Sequence, residues 1–326
     1  MHKVSKVLLT GMGAAAASAA AIGAAAYAST KYFVKIALDR EQPKLPNLDK
    51  MRDQIKGSGD CAAFLDTIAA AAEKLETTPH DTVEIESYDG QSLVGHWFGC
   101  KSPKRTVIAM HGWRSGWSTD FGTIADFWHK NGCNVLYAEQ RGQGSSGGAY
   151  MGFGMMERFD CLEWIKWVNS HCDSSLPIYL AGVSMGATTV LMTANLDLPQ
   201  NVKGIMADCG FTSAHDIWKH VAENNLHLSY QLHSNAADTL CREKISMGTR
   251  DCSTVDVLKE SKVPILLAHG TEDHFVPVGM TYENYLACSG PKHLLIVPGA
   301  DHGMSHFKEK NRYENGVLEF WNTYDR

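Results

Sequence analysis

Between residues 81 and 98 apolar and polar positions alternate; beyond residue 105 they stop alternating and cluster. The segments Asp81–Ser87 and Ser92–Phe98 flank Tyr88-Asp89-Gly90, and a two-residue period broken by such a tripeptide predicts an antiparallel hairpin. Thr106–Met110 is short and almost wholly apolar, the pattern of a strand covered on both faces. Runs of the same kind recur at Asn134–Ala138, Pro177–Ala181, Val202–Ala207, Pro264–Ala268 and His293–Val297. Stretches with helical spacing separate them: Asp120–Lys130, then Met155–Asn169 with Phe159, Leu162, Ile165 and Val168 on one face, then Ala187–Asn195. A last helix presents Tyr313, Val317, Phe320 and Trp321. Strand and helix by turns predict an α/β protein, a mostly parallel, doubly wound sheet opened by an antiparallel hairpin.

Two regions break the rhythm. About fifty residues, Phe211 to Lys262, separate two predicted strands where one helix would suffice. They are rich in histidine and aromatics, and their place above the strand ends predicts a helical lid, with Trp218 and Tyr230 as substrate-contacting wall. An extra helix without substrate contact is the alternative. Residues 41–79 read as a Pro-containing linker, Glu41–Leu48, and an amphipathic helical stretch near Cys61–Leu75. The expected organisation is therefore a leading segment over 1–40, a lead-in over 41–79 and a catalytic domain over 80–326.

The leading segment changes the picture of location. Lys3 and Lys6 precede an uncharged, Ala- and Gly-rich stretch from Val7 to Thr30, long enough to span a bilayer as a helix though weakly hydrophobic. It reads as a signal anchor outside the fold, holding an exported catalytic domain at the membrane. Ala26-Tyr27-Ala28 fits a cleavage site and gives the alternative of a secreted protein; a buried Ala-rich helix is a third reading. Beyond residue 40 the chain carries 25 basic and 35 acidic residues, a net of −10, which argues against nucleic acid as a partner. The nine cysteines are odd in number, form no C-x-x-C and suit no zinc spacing, so they read as free thiols, at odds with export.

The chemistry centres on Gly182-Val183-Ser184-Met185-Gly186, a G-x-S-x-G between a predicted strand and a predicted helix. Such a turn forces the serine into a strained conformation with its Oγ above the sheet edge, and a Cβ at either glycine would collide with neighbouring backbone. A serine hydroxyl needs a base and a group that fixes the base. Asp273 follows one strand and His302 the next, the order Ser, acid, His. Asp208 and Glu272 are rival acids, and His269 and His274 rival bases; His269 ends a strand and reads as a packed polar residue. The oxyanion needs two backbone donors, expected from Met185 and from Trp113 in His111-Gly112-Trp113-Arg114-Ser115-Gly116. Arg141-Gly142-Gln143-Gly144-Ser145-Ser146-Gly147 contains G-x-G-x-x-G, but glycines continue at 148, 152 and 154, so no helix opens to receive a pyrophosphate. It reads as a tight loop in which Arg141 ties its neighbours.

Taken in order, the H-G-W loop, Arg141 to Ser146, G-V-S-M-G, Gly270 to Pro277 and Asp301-His302-Gly303 resemble the α/β-hydrolase superfamily over residues 80–326. The likeness is nearest to bacterial membrane-anchored hydrolases of the serine-aminopeptidase-like and lysophospholipase-like group. It implies the α/β-hydrolase fold with a lid insertion and carboxylic-ester hydrolysis on small-molecule substrates, without metal or cofactor. Peptidase activity on the same triad and a non-catalytic binding protein are the alternatives. Glu139-Gln140 before Arg141 departs from many relatives, which bears on loop packing rather than chemistry.

Overall fold

The computed structural model describes residues 23–41 and 59–325. The chain enters with a helix over residues 23–38 (α1) and a second, Gly59–Thr77 (α2). The hairpin Asp81–Glu86 (β1) and Ser92–Phe98 (β2) follows. Next come β3 (Arg105–Met110), α3 (Trp117–Lys130), β4 (Cys133–Ala138), α4 (Glu157–His171), β5 (Ile178–Val183), α5 (Met185–Thr193) and β6 (Val202–Asp208). Helices α6 (Ala214–His220), α7 (Tyr230–Ile245) and α8 (Thr254–Glu260) occupy the long insertion, with a π-helical turn at Val221–Asn225. The chain closes with β7 (Ile265–Gly270), α9 (Val278–Ala287), β8 (Lys292–Val297), α10 (Ser305–Lys308) and α11 (Lys310–Tyr324).

The strands form one sheet in the order β1-β2-β4-β3-β5-β6-β7-β8. The β1–β2 and β2–β4 pairs are antiparallel, and every pair from β4 to β8 is parallel. Strands β3, β4 and β7 are buried at every position, which is why their sequences are apolar runs, whereas edge strand β1 alternates exposed and half-buried residues. One face is covered by α3 and α11, whose Phe127 and Trp321 rings stack 5.6 Å apart. The other carries α4, α5 and the insertion. Near the chain's end the Asp325 carboxylate pairs with the Arg105 guanidinium of β3 and accepts the Tyr179 hydroxyl of β5 at 3.0 Å. The sheet extends from β3 to β4 on one side and to β5 on the other, so a crevice opens beyond the carboxyl ends of β3 and β5.

Two segments at the beginning of the chain pack against the catalytic domain. Residues 30–40 pack onto the fold: Thr30, Val34 and Leu38 are buried, Asp39 bridges to Tyr150, and its carboxylate pairs with Lys244 at 2.6 Å. The reason is the apolar face of α1: Val34, Ala37 and Leu38 lie on one side of the helix and pack on the core. Of the predicted anchor, residues 7–22 lie outside the described residues, and among the described residues no helix is long and apolar enough to cross a membrane. The lead-in is also structural, because α2 lies directly against α3. A Cβ at Gly122 of α3 would stand 2.7 Å from the Ala71 backbone, so only glycine lets these helices approach so closely. The eight cysteines from Cys100 to Cys288 are free thiols.

Candidate active site

Ser184 follows β5 with φ 55° and ψ −118°, a conformation non-glycine residues seldom adopt. The turn is clamped: the Ser184 N–H donates to the Asp208 carbonyl at 2.9 Å. A Cβ at Gly182 would strike the Gly186 carbonyl, and one at Gly186 the Met110 carbonyl. The strain lifts Oγ out of the sheet towards the loops after β7 and β8. There His302 Nε2 lies 2.9 Å from Ser184 Oγ, and its Nδ1 lies 2.7 Å from Asp273 Oδ2. A carboxylate only accepts, so Nδ1 carries the proton and the Nε2 lone pair faces the serine.

Asp273 is held on both oxygens. Oδ1 accepts the N–H groups of Phe275 at 2.9 Å and Val276 at 2.8 Å, and Oδ2 also accepts His269 Nε2–H at 3.1 Å. His269 Nδ1 in turn accepts the Thr281 hydroxyl at 2.6 Å. Burial alone would raise the Asp273 pKa; the bonds from His269, His302 and the Val276 N–H outweigh it and hold the carboxyl well below its usual range. For His302 burial disfavours the charged ring, but the Cys209 sulfur and the Asp273 carboxylate outweigh it and hold the imidazole above its ordinary value. His269, expected to be a packed polar residue, is fully buried and is also a direct partner of the acid. Its spacing of four from Asp273 was the available signal.

The rivals lie elsewhere. Asp208 accepts the Ser305 hydroxyl at 2.9 Å, and burial raises its carboxyl pKa. Glu272 and His274 are exposed on the loop. Cys209, Asp273 and His302 bring three potential ligand atoms within 4.8 Å of one another, but the imidazole and the carboxylate are already bonded to each other. Burial also raises the Cys209 thiol pKa. Arg141 ties loops as expected, donating to Asp160 at 2.5 and 2.6 Å and to Asp89 at 2.9 and 3.0 Å. Residues 141–149 form turns that lead into no helix N-terminus.

Beside Ser184 runs the loop after β3. A Cβ at Gly112 would lie 3.4 Å from Ser184 Cβ, so Trp113 follows directly above the nucleophile. Asp120 holds this loop, accepting Gly112 N–H at 2.6 Å and the Ser115 hydroxyl at 2.5 Å. Met185 begins α5 immediately after the serine. The loop borders a cleft of about 230 Å³ reaching Ser184 and His302, with Phe64, Ile68, Phe275 and Phe307 on its walls. Phe64 of α2 and Phe307 of α10 meet edge to face at 5.1 Å.

Trp218 and Tyr230 are not brought to this cleft. Trp218 packs edge-on against Phe153 at 5.4 Å, and Phe153 lies 6.3 Å from Trp113, so it is one ring removed. Tyr230 is buried against His215 at 5.1 Å. The insertion packs down rather than over: His233 of α7 pairs with Thr30 at 2.8 Å and Lys244 with Asp39. The wall comes instead from Phe64 and Ile68 of α2, within the expected lead-in.

A parallel sheet with a strained serine at its topological switch, an imidazole on its hydroxyl and a buried carboxylate behind defines a serine hydrolase of the α/β-hydrolase fold. Residues 118–325 match the prolyl oligopeptidase family, and the chain belongs to that family. Among curated relatives it is similar to protein YqkD of Bacillus subtilis, 26% identical over 252 residues, covering 76% of this chain and 81% of the relative. It is also similar to protein YfhR of Escherichia coli K12, 24% identical over 229 residues, covering 68% and 73%. An esterase of Pyrococcus furiosus superposes with a TM-score of 0.63 at 22% identity, covering 78% of this chain and 94% of that one. An esterase of Exiguobacterium antarcticum gives 0.56 at 17%, covering 74% and 100%. At these identities the structural likeness establishes the fold.

Proposed function

We propose that the chain hydrolyses carboxylic esters through an acyl-enzyme. Ser184 Oγ attacks the carbonyl carbon as its proton passes to His302 Nε2, and Asp273 steadies the imidazolium. The carbonyl oxygen becomes an oxyanion between the N–H groups of Trp113 and Met185. The intermediate collapses, the alcohol departs with the proton from His302, and a water activated by the same nitrogen releases the acid. The carrying observation is the unbroken line Ser184 Oγ, His302, Asp273 at 2.9 and 2.7 Å, opening on a cleft with mainly apolar walls. Ser184→Ala should reduce p-nitrophenyl ester turnover by about 10⁶-fold with an unchanged circular dichroism spectrum. Activity equal to wild type would end the proposal.

The family also supports a second reading, a peptidase on the same triad. Capture of a free amino terminus calls for an unengaged carboxylate. Among the cleft's lining residues the one carboxylate, Asp120, is already bonded to Gly112 and Ser115, which favours esters. Turnover of acyl esters against aminoacyl amides separates the two. The resemblance to membrane-anchored hydrolases supports residues 7–30 as an anchor before an exported domain, and α1, in which residues 23–30 lie, would then stand at the domain's membrane end. Cell fractionation tests it: full-length protein in the cytosol, or a mature N-terminus at Ser29, contradicts the anchor.

A further inference from the structure

We propose that the C-terminal end of α1 sets the oxyanion hole, with Arg114 as its positioning residue. The inference rests on the reading of Trp113 N–H as an oxyanion donor. To present that N–H above Ser184, the loop leaving β3 bends so that Arg114 sits at φ 52°, in the left-handed region. Such a conformation costs about 1–3 kcal/mol at a non-glycine residue and persists only where surroundings enforce it. Here they do so from three directions.

Asp120 holds Gly112 N–H, and Gln143 Oε1 accepts Arg114 N–H at 2.5 Å. The third hold comes from α1. The Arg114 guanidinium donates through Nη2 to the carbonyls of Ile36 and Asp39, each at 2.6 Å, and through Nε to Ile36 at 3.3 Å. The Trp113 indole N–H donates to the Ala37 carbonyl at 2.9 Å. Ile36 and Ala37 lie in the last turn of α1, where carbonyls have no partner further along the helix. Asp39 lies just beyond it. The Arg40 N–H, which would otherwise reach Ile36, donates to Ala149. The helix's negative end thus receives a cation, a favourable arrangement, and the Arg114 guanidinium also lies over the Trp113 ring at 5.1 Å.

A bracket is useful only if it is itself fixed. Val34 and Leu38 are buried, Asp39 pairs with Lys244, and Arg40 donates to the Gly144 carbonyl at 2.6 Å and the Ser146 carbonyl at 2.5 Å. The end of α1 is therefore fastened to three other parts of the domain, and two successive residues of the oxyanion loop hang from it. A displacement near 1 Å in a catalytic group can cost about 10²-fold in rate. A hole set in this way depends on a segment about 75 residues earlier in the chain.

The test uses the full chain and four proteins: wild type, Arg114→Ala, Arg114→Lys and Trp113→Phe. For each, kcat and KM are measured on p-nitrophenyl acetate, with the affinity of a trifluoromethyl ketone, whose adduct with Ser184 places an oxyanion in the hole. Arg114→Ala should lower kcat by roughly 10–100-fold and weaken the ketone in parallel, with KM within about twofold. Arg114→Lys, whose ammonium lacks the guanidinium's fork, should fall between. Trp113→Phe, which removes only the indole N–H, should lose a few-fold. Wild-type kcat and ketone affinity in Arg114→Ala overturn the bracket. So does a loss that follows thermal stability alone, with kcat per folded molecule unchanged. A wild type that ignores the ester yet labels at Ser184 with a fluorophosphonate refutes the ester reading alone. The bracket is then decided by ketone affinity and labelling rate, which need no ester turnover.

Discussion

After β4, Arg141 lies between the carboxylates of Asp160 and Asp89 under the Tyr88 ring; at the carboxyl edge of the same sheet, after β7 and β8, Asp273 lies between His269 and His302. In both, a buried charge stands at the centre and draws separate elements together. In the first, Nε, Nη1 and Nη2 of the arginine are all bonded to carboxylates, so the charge is fixed and has nothing further to do. In the second, the Asp273 side chain has no exposure while that of His302 keeps 25%, and its far nitrogen is turned to a serine facing the cleft. Closure makes the first a fastening. The open end makes the second a base.

The largest expected effect tests the closed half of the second cluster. Asp273→Asn should lower ester turnover by about 10⁴-fold while the protein stays folded, since an amide no longer selects the tautomer with a lone pair at Nε2. Turnover near wild type would mean that another acid, with Asp208 the nearest choice, serves His302. Arg141→Met probes the first cluster and should do the opposite. It leaves Asp160 buried without its cation, a loss of about 3–5 kcal/mol read from urea unfolding, with kcat of the folded fraction changed less than about threefold. The loss should be larger at pH 8 than at pH 5, because a lone buried carboxyl takes up a proton at the lower pH. A large fall in kcat at full stability would erase the distinction between the clusters.

Two smaller effects sharpen it. The open end gives onto the α2 wall, so Phe64→Ala should change the kcat/KM ratio of long to short acyl esters by about tenfold, within the range of 1–3 kcal/mol per pocket methylene. Trp218→Ala should leave that ratio alone; the reverse result would restore the insertion as the specificity wall. Last is pH. The base must be neutral, so kcat/KM should rise with pH through the His302 pKa. Because Cys209 and Asp273 hold that pKa up against burial, the midpoint should lie above the reference imidazole value of about 6.5. In Asp273→Asn, with the carboxylate charge gone, the midpoint of the residual activity should move down. A midpoint unmoved by that substitution would assign the titration to another group.

The sheet and the serine–histidine–aspartate line were legible because their placement follows from strand order. Apolar runs mark strands, and Ser184, Asp273 and His302 each lie in the loop after one. Residues whose role depends on which surface a helix meets were not legible. The alternation in α2 announces one apolar face without naming what it covers, and Gly122, which lets α2 reach the cleft, looks in sequence like any helical glycine. Trp218 and Tyr230 were placed by composition alone, and aromatic content does not tell a cleft wall from a packing face. For the residues that follow the Ala-rich stretch the limit is different: Val34 and Leu38 are apolar wherever they lie, and only the assembled core shows what they cover.

The pairing of Arg105 with Asp325 sets a schedule. These residues are 220 positions apart, so during synthesis β3 is complete while the carboxylate that neutralises its guanidinium, and that also receives Tyr179, is still to be made. A contact so distant in sequence is slow to close and adds nothing until it does. The central strand is therefore finished only long after it is made, and a chain interrupted before Asp325 would carry an unanswered cation beneath the sheet for its whole life.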